Sequence, residues 1–246
     1  KIKNQNFAID KFWLNSKKNS IDHIVVSPGI DINKCQIKDY LKKNLKKIIT
    51  DLDIFFDLNK GALIISITGT NGKSTTCKII EKILRVAGYN AKIGGNIGNP
   101  VLSLNRSKKK NIFIIEVSSY QLEYSKLFRS RHAAILNISP DHLDRHRNIK
   151  NYIKIKSRIF FAQKSTDYSY INSTNKFSKY IDNIFKLKKL KSKLIRINEY
   201  DCNFLLEQIN NKYFKSKGYI ENLAFAYKIA KNLKINDTTI VKALYK

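Results

Sequence analysis

A short apolar run, residues 62–67, passes straight into Thr68-Gly69-Thr70-Asn71-Gly72-Lys73-Ser74-Thr75-Thr76. Apolar residues then recur at helical spacing: Ile79, Ile80, Ile83, Leu84 and Ala87, with Gly88 placed to end the helix. This succession of strand, glycine-rich turn and amphipathic helix constrains the fold more than any other feature of the chain. A turn of this kind exposes backbone N–H groups at a helix N-terminus, which is a ready anion site. A lysine there adds a point charge for outer phosphates, and a hydroxyl after it can coordinate magnesium. Gly72-Lys73-Ser74 supplies the last three elements of a P-loop. The usual spacing puts the first glycine at position 67; here it is Gly69, so the loop is shortened.

The rest of the chain repeats the pattern of strands alternating with helices. Residues 112–117 and 133–138 read as two further strands, each ending in polar residues: Glu116-Val117-Ser118-Ser119, and Asn137-Ile138-Ser139-Pro140-Asp141-His142. Ile24-Val25-Val26 reads as a strand entering the turn Ser27-Pro28-Gly29-Ile30, and residues 39–49 as a helix with a basic outer face. Outer strands are expected within 163–217, and a last long helix over 219–233. The implied class is α/β, a mostly parallel sheet with helices on both faces. Ligands of such sheets bind beyond the carboxyl ends of the strands, where the polar clusters fall.

The formal net charge of +28 raises the question of nucleic acid or an anionic membrane. Only eight of the 47 basic residues are arginine, the preferred fork for phosphate and base edges, and the lysines are spread along the whole chain. The reading is a lysine-rich surface, with neither nucleic acid nor membrane as partner. No run is apolar for long enough to span a bilayer. Cys35, Cys77 and Cys202 are far apart and form no metal spacing or disulfide framework, which fits a reducing, cytoplasmic compartment.

Several polar residues stand where physics asks for a reason. Glu116 ends an apolar strand. It is either a solvated strand-end charge or an oxygen ligand for a hard divalent cation beside the P-loop. His142 and His146 are four apart and would share a helix face, as zinc ligands do, but no third ligand is evident. From Ile149 the chain reads as a helix with Tyr152, Ile153, Ile159 and Phe160 on its apolar stripe, and Lys156 lies inside that stripe. An unpaired buried ammonium is costly, so Lys156 either snorkels to solvent or has a specific partner. Asn222 sits on the apolar stripe of the 219–233 helix and needs hydrogen-bond partners of its own. Residues 94–100 form a glycine-rich turn without a phosphate lysine.

Taken in order, these segments resemble the Mur ligase family, which includes the folylpolyglutamate synthases. The shortened loop, residues 68–75, is similar to that family's ATP loop. The segment Glu116-Val117-Ser118-Ser119-Tyr120-Gln121-Leu122-Glu123 is similar to one typical of its D-glutamate-adding branch. Pro140-Asp141-His142-Leu143-Asp144-Arg145-His146 resembles its Asp-His-Leu-Asp-Arg motif. Gly95-Asn96-Ile97-Gly98 is similar to its Gly-Asn-Ile-Gly turn, and Ser27-Pro28-Gly29-Ile30 to a segment of its uridine-diphosphate-binding domain.

The resemblance implies a partial N-terminal domain over 1–55, α/β and Rossmann-like, a central ATP-binding domain over 56–246, and a full set of site residues. By it, ATP is held by Gly69, Thr70, Asn71, Gly72, Lys73, Ser74 and Thr75, with Asn222 on the adenine side. Tyr219 and Gly218 stand where the family has a His-Asn pair. Two magnesium ions are held by Ser74, Glu116, His142 and a carbamylated Lys156, and Asp141 and Asp144 orient the loop. The catalytic set is Lys73, Glu116, His142 and Lys156. Ser27, Gly29 and Asn96 approach the UDP-sugar. The implied reaction joins D-glutamate to UDP-N-acetylmuramoyl-L-alanine through an acyl phosphate, in the cytoplasm, by a monomer. Lys1 in place of methionine, and an end where a C-terminal domain should begin, give the expectation of a fragment that binds nucleotide weakly and does not ligate. The rival readings are a folylpolyglutamate synthase-like ligase and a basic nucleic-acid-binding P-loop ATPase.

Overall fold

A computed structural model describes residues 21–104 and 111–245. Two parallel sheets are formed. The small one pairs β1 (Ile24–Val25) with β2 (Ile48–Ile49), and α1 (Lys38–Lys43) lies between them in sequence. Val26, Ile32, Leu41 and Ile48 form its own small core, against which Tyr124 packs. The helix expected over 39–49 therefore stops early. Asn44 caps α1, its side chain donating to the Tyr40 carbonyl at 2.9 Å, and the β-branched pair Ile48-Ile49 goes to a strand.

Helix α2 (Asp51–Leu58) joins this unit to the large sheet, and the expected boundary at 55/56 falls inside it. Leu52 and Phe55 are buried in the large core, with the Phe55 ring edge-on to Phe113 at 5.2 Å. Asp53 is the polar hub of the joint. One carboxylate oxygen accepts the Thr50 N–H at 2.9 Å. The other accepts the Ser125 hydroxyl at 2.8 Å and the backbone N–H groups of Lys126, Leu127 and Phe128 at 2.9, 2.8 and 3.1 Å.

The large sheet has six strands in the order β4-β5-β3-β6-β7-β8, all parallel. They are β3 (Leu63–Thr68), β4 (Asn90–Gly95), β5 (Asn111–Glu116), β6 (His132–Ile135), β7 (Tyr168–Asn172) and β8 (Lys193–Ile197). The central strands are continuous hydrophobic runs because both faces are covered. On β3, Ile65 and Ile67 face α3 (Lys73–Val86), α8 (Asn203–Ile209), α9 (Lys217–Asn232) and α10 (Asp237–Leu244). Ile64, with Phe113 and Ile115 of β5, faces α2 and α6 (Ile149–Ser157), with Ile181 and Phe185 of α7 (Ser178–Leu187) in the same cluster. Two short helices, α4 (Ser119–Tyr124) and α5 (Leu143–His146), follow β5 and β6 at the carboxyl edge.

The chain crosses from one side of β3 to the other between β5 and β6. Such a reversal opens a crevice beyond the carboxyl ends of β3, β5 and β6. The expected outer strands are β7 and β8. The glycine-rich segment 94–100 is only partly a turn, since Gly94 and Gly95 belong to edge strand β4.

Candidate active site

The crevice gathers most of the residues singled out in the sequence. Gly72 begins α3 with φ +82°, a left-handed conformation that disfavours any other residue, and a Cβ there would meet the Asn222 Oδ1 at 2.2 Å. Asn222 is buried and packs directly on the phosphate loop. Lys73, Ser74 and Thr75 form the first turn of α3, where backbone N–H groups and the helix dipole favour an anion. The Lys73 ammonium folds back and donates to the Gly69 and Thr70 carbonyls at 3.0 and 2.7 Å.

Glu116 ends β5 with 2% of its surface exposed. One carboxylate oxygen accepts the Ser74 hydroxyl at 2.6 Å, and the other accepts the Asn96 amide at 3.0 Å. The Asn96 backbone N–H donates to the Glu116 carbonyl at 2.9 Å. Gly95 permits this close approach: at φ +109°, a Cβ would lie 2.2 Å from that carbonyl oxygen. Thus the phosphate loop, the end of β5 and the glycine-rich turn meet at one carboxylate. Among the described residues Glu116 has no ion-pair partner. A buried carboxylate held only by neutral donors, beside a hydroxyl, fits a hard divalent cation.

Lys156 does not snorkel. It is 2% exposed, and its Nζ donates to the Thr68 hydroxyl at 3.2 Å and the Gly69 carbonyl at 2.9 Å. The same nitrogen lies 4.8 Å from the Tyr152 ring centroid. The Gly69 carbonyl thus accepts from both Lys73 and Lys156. Burial, with the neighbouring Lys73 charge second, pulls the Lys156 pKa down to about 7. At neutral pH a large share of this side chain is a free amine, the form that reacts with carbon dioxide.

His142 stands apart from this group. It precedes α5 in a left-handed conformation at φ +52°, with its Nε2 3.3 Å from the Asp141 carboxylate and its ring 5.0 Å from that of Tyr120. Among the described residues no hydrogen bond ties it to Glu116 or Lys156. The shared helix face expected for His142 and His146 does not form, because His142 lies outside the helix. His146 is buried, with its Nε2 2.9 Å from the Ser119 hydroxyl. No group of three or more His, Cys, Asp or Glu that could hold a metal occurs among the described residues, so the zinc reading finds no third ligand.

Ser27 and Gly29 lie in the N-terminal unit, where the Ile30 N–H closes the turn on the Ser27 carbonyl at 3.0 Å. A Cβ at Gly29 would meet nothing within 4 Å, so packing within the chain does not demand glycine there.

The crevice also holds a residue to which sequence reasoning assigns no role. Asn137, just past β6, accepts the Asn71 N–H at 2.9 Å and returns a bond to the Asn71 carbonyl at 3.2 Å. Its own carbonyl accepts the Thr70 N–H at 3.0 Å, and the Thr70 hydroxyl accepts the Ser139 N–H at 3.0 Å. These bonds hold Asn71 and Thr70 and fix the shape of the loop. A polar residue at the carboxyl end of a central strand is the available signal.

The family model described as Mur ligase middle domain matches residues 67–236. The UDP-N-acetylmuramoylalanine–D-glutamate ligase of Rickettsia bellii is 36% identical over 246 residues, covering 93% of this chain and 54% of the relative. This chain therefore spans about half the length of that protein. Among solved structures, the UDP-N-acetylmuramate:L-alanyl-gamma-D-glutamyl-meso-diaminopimelate ligase of Neisseria meningitidis superposes with a TM-score of 0.61 at 15% identity, over 96% of this chain and 82% of that one. A bifunctional folylpolyglutamate synthase/dihydrofolate synthase gives 0.56 at 16% identity, over 89% and 67%. These two likenesses speak to the fold. The matched model, spanning most of the chain and centred on the crevice described above, places this protein in the Mur ligase family.

Proposed function

We propose that the protein is the D-glutamate-adding member of the family. In this reading the γ-phosphoryl group of ATP passes to the alanyl carboxylate of UDP-N-acetylmuramoyl-L-alanine, releasing ADP. The free amine of D-glutamate then attacks the acyl phosphate, an amide forms, and inorganic phosphate and a proton leave. The observation that carries the proposal is the meeting of Ser74, Asn96 and Glu116 at one buried carboxylate. It sets a phosphate-loop hydroxyl next to a residue expected to face the sugar substrate. The identity to the Rickettsia bellii ligase supports the choice of acceptor.

Each residue has a role in this reading. The loop 69–75 wraps the phosphates, and Lys73 swings from the Gly69 and Thr70 carbonyls to neutralise the charge that develops on the transferred group. Asn222 supports the loop at Gly72 and reaches the adenine side. Ser74 and Glu116 would hold one magnesium ion, and His142 with carbamylated Lys156 a second. The ions supply charge neutralisation on the phosphate oxygens when bound. His142 must turn from Asp141 to take that part. Ser27 and Gly29, in an N-terminal domain over 1–55, meet the UDP-sugar, and the central domain over 56–246 performs phosphoryl transfer. The compartment is cytoplasmic and the protein acts as a monomer, with no nucleic acid or membrane as partner. No helix among the described residues is long and apolar enough to cross a membrane.

Calorimetry of this chain with magnesium and the non-hydrolysable analogue AMPPNP tests the phosphate site. Binding that weakens about a hundredfold in Lys73→Ala is expected, near the upper end for loss of a charge-assisted contact. Equal binding by the variant removes Lys73 from the reading.

A further inference from the structure

We infer that Arg145 is a positioning residue that seats the N-terminal unit on the phosphate-transfer site. Its guanidinium is largely buried and joins three segments. Nη2 donates to the Ile30 carbonyl at 2.7 Å, at the end of the Ser27-Pro28-Gly29-Ile30 turn. Nη1 lies 3.9 Å from the Asp31 carboxylate. Nε donates to the Glu123 carboxylate at 3.0 Å, at the end of the segment that starts with Glu116. The guanidinium carbon also stands 5.7 Å from the Tyr120 ring centroid, and that ring contacts His142 and His146. Arg145 thus ties the N-terminal turn, α4 and the His142 loop together through one rigid fork.

The fork is what makes the joint specific. A planar guanidinium can serve a carbonyl, two carboxylates and a ring at fixed angles, which an ammonium cannot. Lys126 also links the units, its Nζ donating to the Leu45 and Lys46 carbonyls from an exposed position. A flexible exposed lysine sets no angle. Arg145 therefore determines where Ser27 and Gly29 stand relative to the loop 69–75. Because it shares α5 with the residue that follows His142, a shift of the turn is passed to His142. The role of Arg145 rests on the proposal that the turn meets the UDP-sugar.

Two measurements on the protein expressed from its complete gene test it, with Arg145→Ala, Arg145→Lys and the control Lys126→Ala. Amide hydrogen exchange reads the strut, and calorimetry with UDP-N-acetylmuramoyl-L-alanine and with magnesium-AMPPNP reads its consequence. Both Arg145 variants are expected to speed exchange in residues 27–35 by about tenfold or more, with β3 and β5 unchanged. They should weaken the UDP-sugar by about tenfold and the nucleotide by less than about twofold. Lys126→Ala should do neither. Unchanged exchange overturns the strut. Faster exchange with unchanged UDP-sugar affinity, or full rescue by Arg145→Lys, reduces Arg145 to a structural ion pair. A wild-type chain that binds nucleotide but no UDP-sugar refutes the substrate reading, and the positioning role with it.

Discussion

Replacing Lys156 by methionine should stabilise the protein while removing the amine that the proposed carbamate requires. The side chain is 2% exposed, and burial lowers its pKa from the usual 10.5 to about 7. The unfolded chain therefore binds more protons than the folded one between those values, and stability rises with pH across that window. Below pH 7 both states carry the charge and the full burial penalty applies, about 5 kcal/mol at most from the size of the lowering. Above 10.5 both are neutral and the penalty is gone. Methionine fills nearly the same volume without the charge and gives up two hydrogen bonds, to Thr68 and Gly69, of about 1 kcal/mol each. A net gain of about 3 kcal/mol is expected at pH 6. The assay is urea denaturation of both proteins from pH 6 to pH 10, in buffer stripped of carbon dioxide. The advantage of Lys156→Met should shrink by up to about 1.4 kcal/mol per pH unit above 7 and change sign near pH 9. A variant less stable at pH 6, or a difference flat with pH, would refute the account of Lys156 as a buried, neutral-leaning amine.

Two further predictions concern residues outside the loop or the state of Lys156. Asp53→Ala should lower stability by about 3–5 kcal/mol in urea denaturation, because it strands the Lys126, Leu127 and Phe128 N–H groups at the joint of α2; a loss below about 1 kcal/mol contradicts that role. In carbon-13 bicarbonate, the wild-type chain should show a carbamate resonance that is absent from Lys156→Ala, and a signal unchanged by the substitution assigns the carbamate elsewhere.

The parts of the fold visible in the sequence are those with strong local patterns. Residues 62–88 stand out because a β-branched run, a loop lysine and a helical stripe each carry their own signature. Lys156 is identifiable because it breaks an apolar stripe, and its buried hydrogen bonds are what that break implies. The periodicity overextends helix α1 because Ile48-Ile49 also fits a helical period, and only pairing with the distant β1 decides for strand. Asp53 is visible only as the partner of Thr50 in a helix-start pair, and its role as hub leaves no signal, since its donors at the joint lie far along the chain, at 125–128, and three of those residues donate through backbone groups, which any residue supplies. The three-way role of Arg145 is likewise hidden, because Ile30, Glu123 and Arg145 converge only after β5 and β6 have settled on opposite sides of β3. His142 is named from its motif, and its place beside Asp141 cannot be read from spacing.

The most direct test of the central claim is ADP release by the protein expressed from its complete gene, with UDP-N-acetylmuramoyl-L-alanine present. D-glutamate, L-glutamate, L-lysine and a folate substrate are offered in parallel. The account predicts release that requires both the UDP-sugar and D-glutamate. Release driven by L-lysine or the folate substrate, or no release with any acceptor, would contradict it.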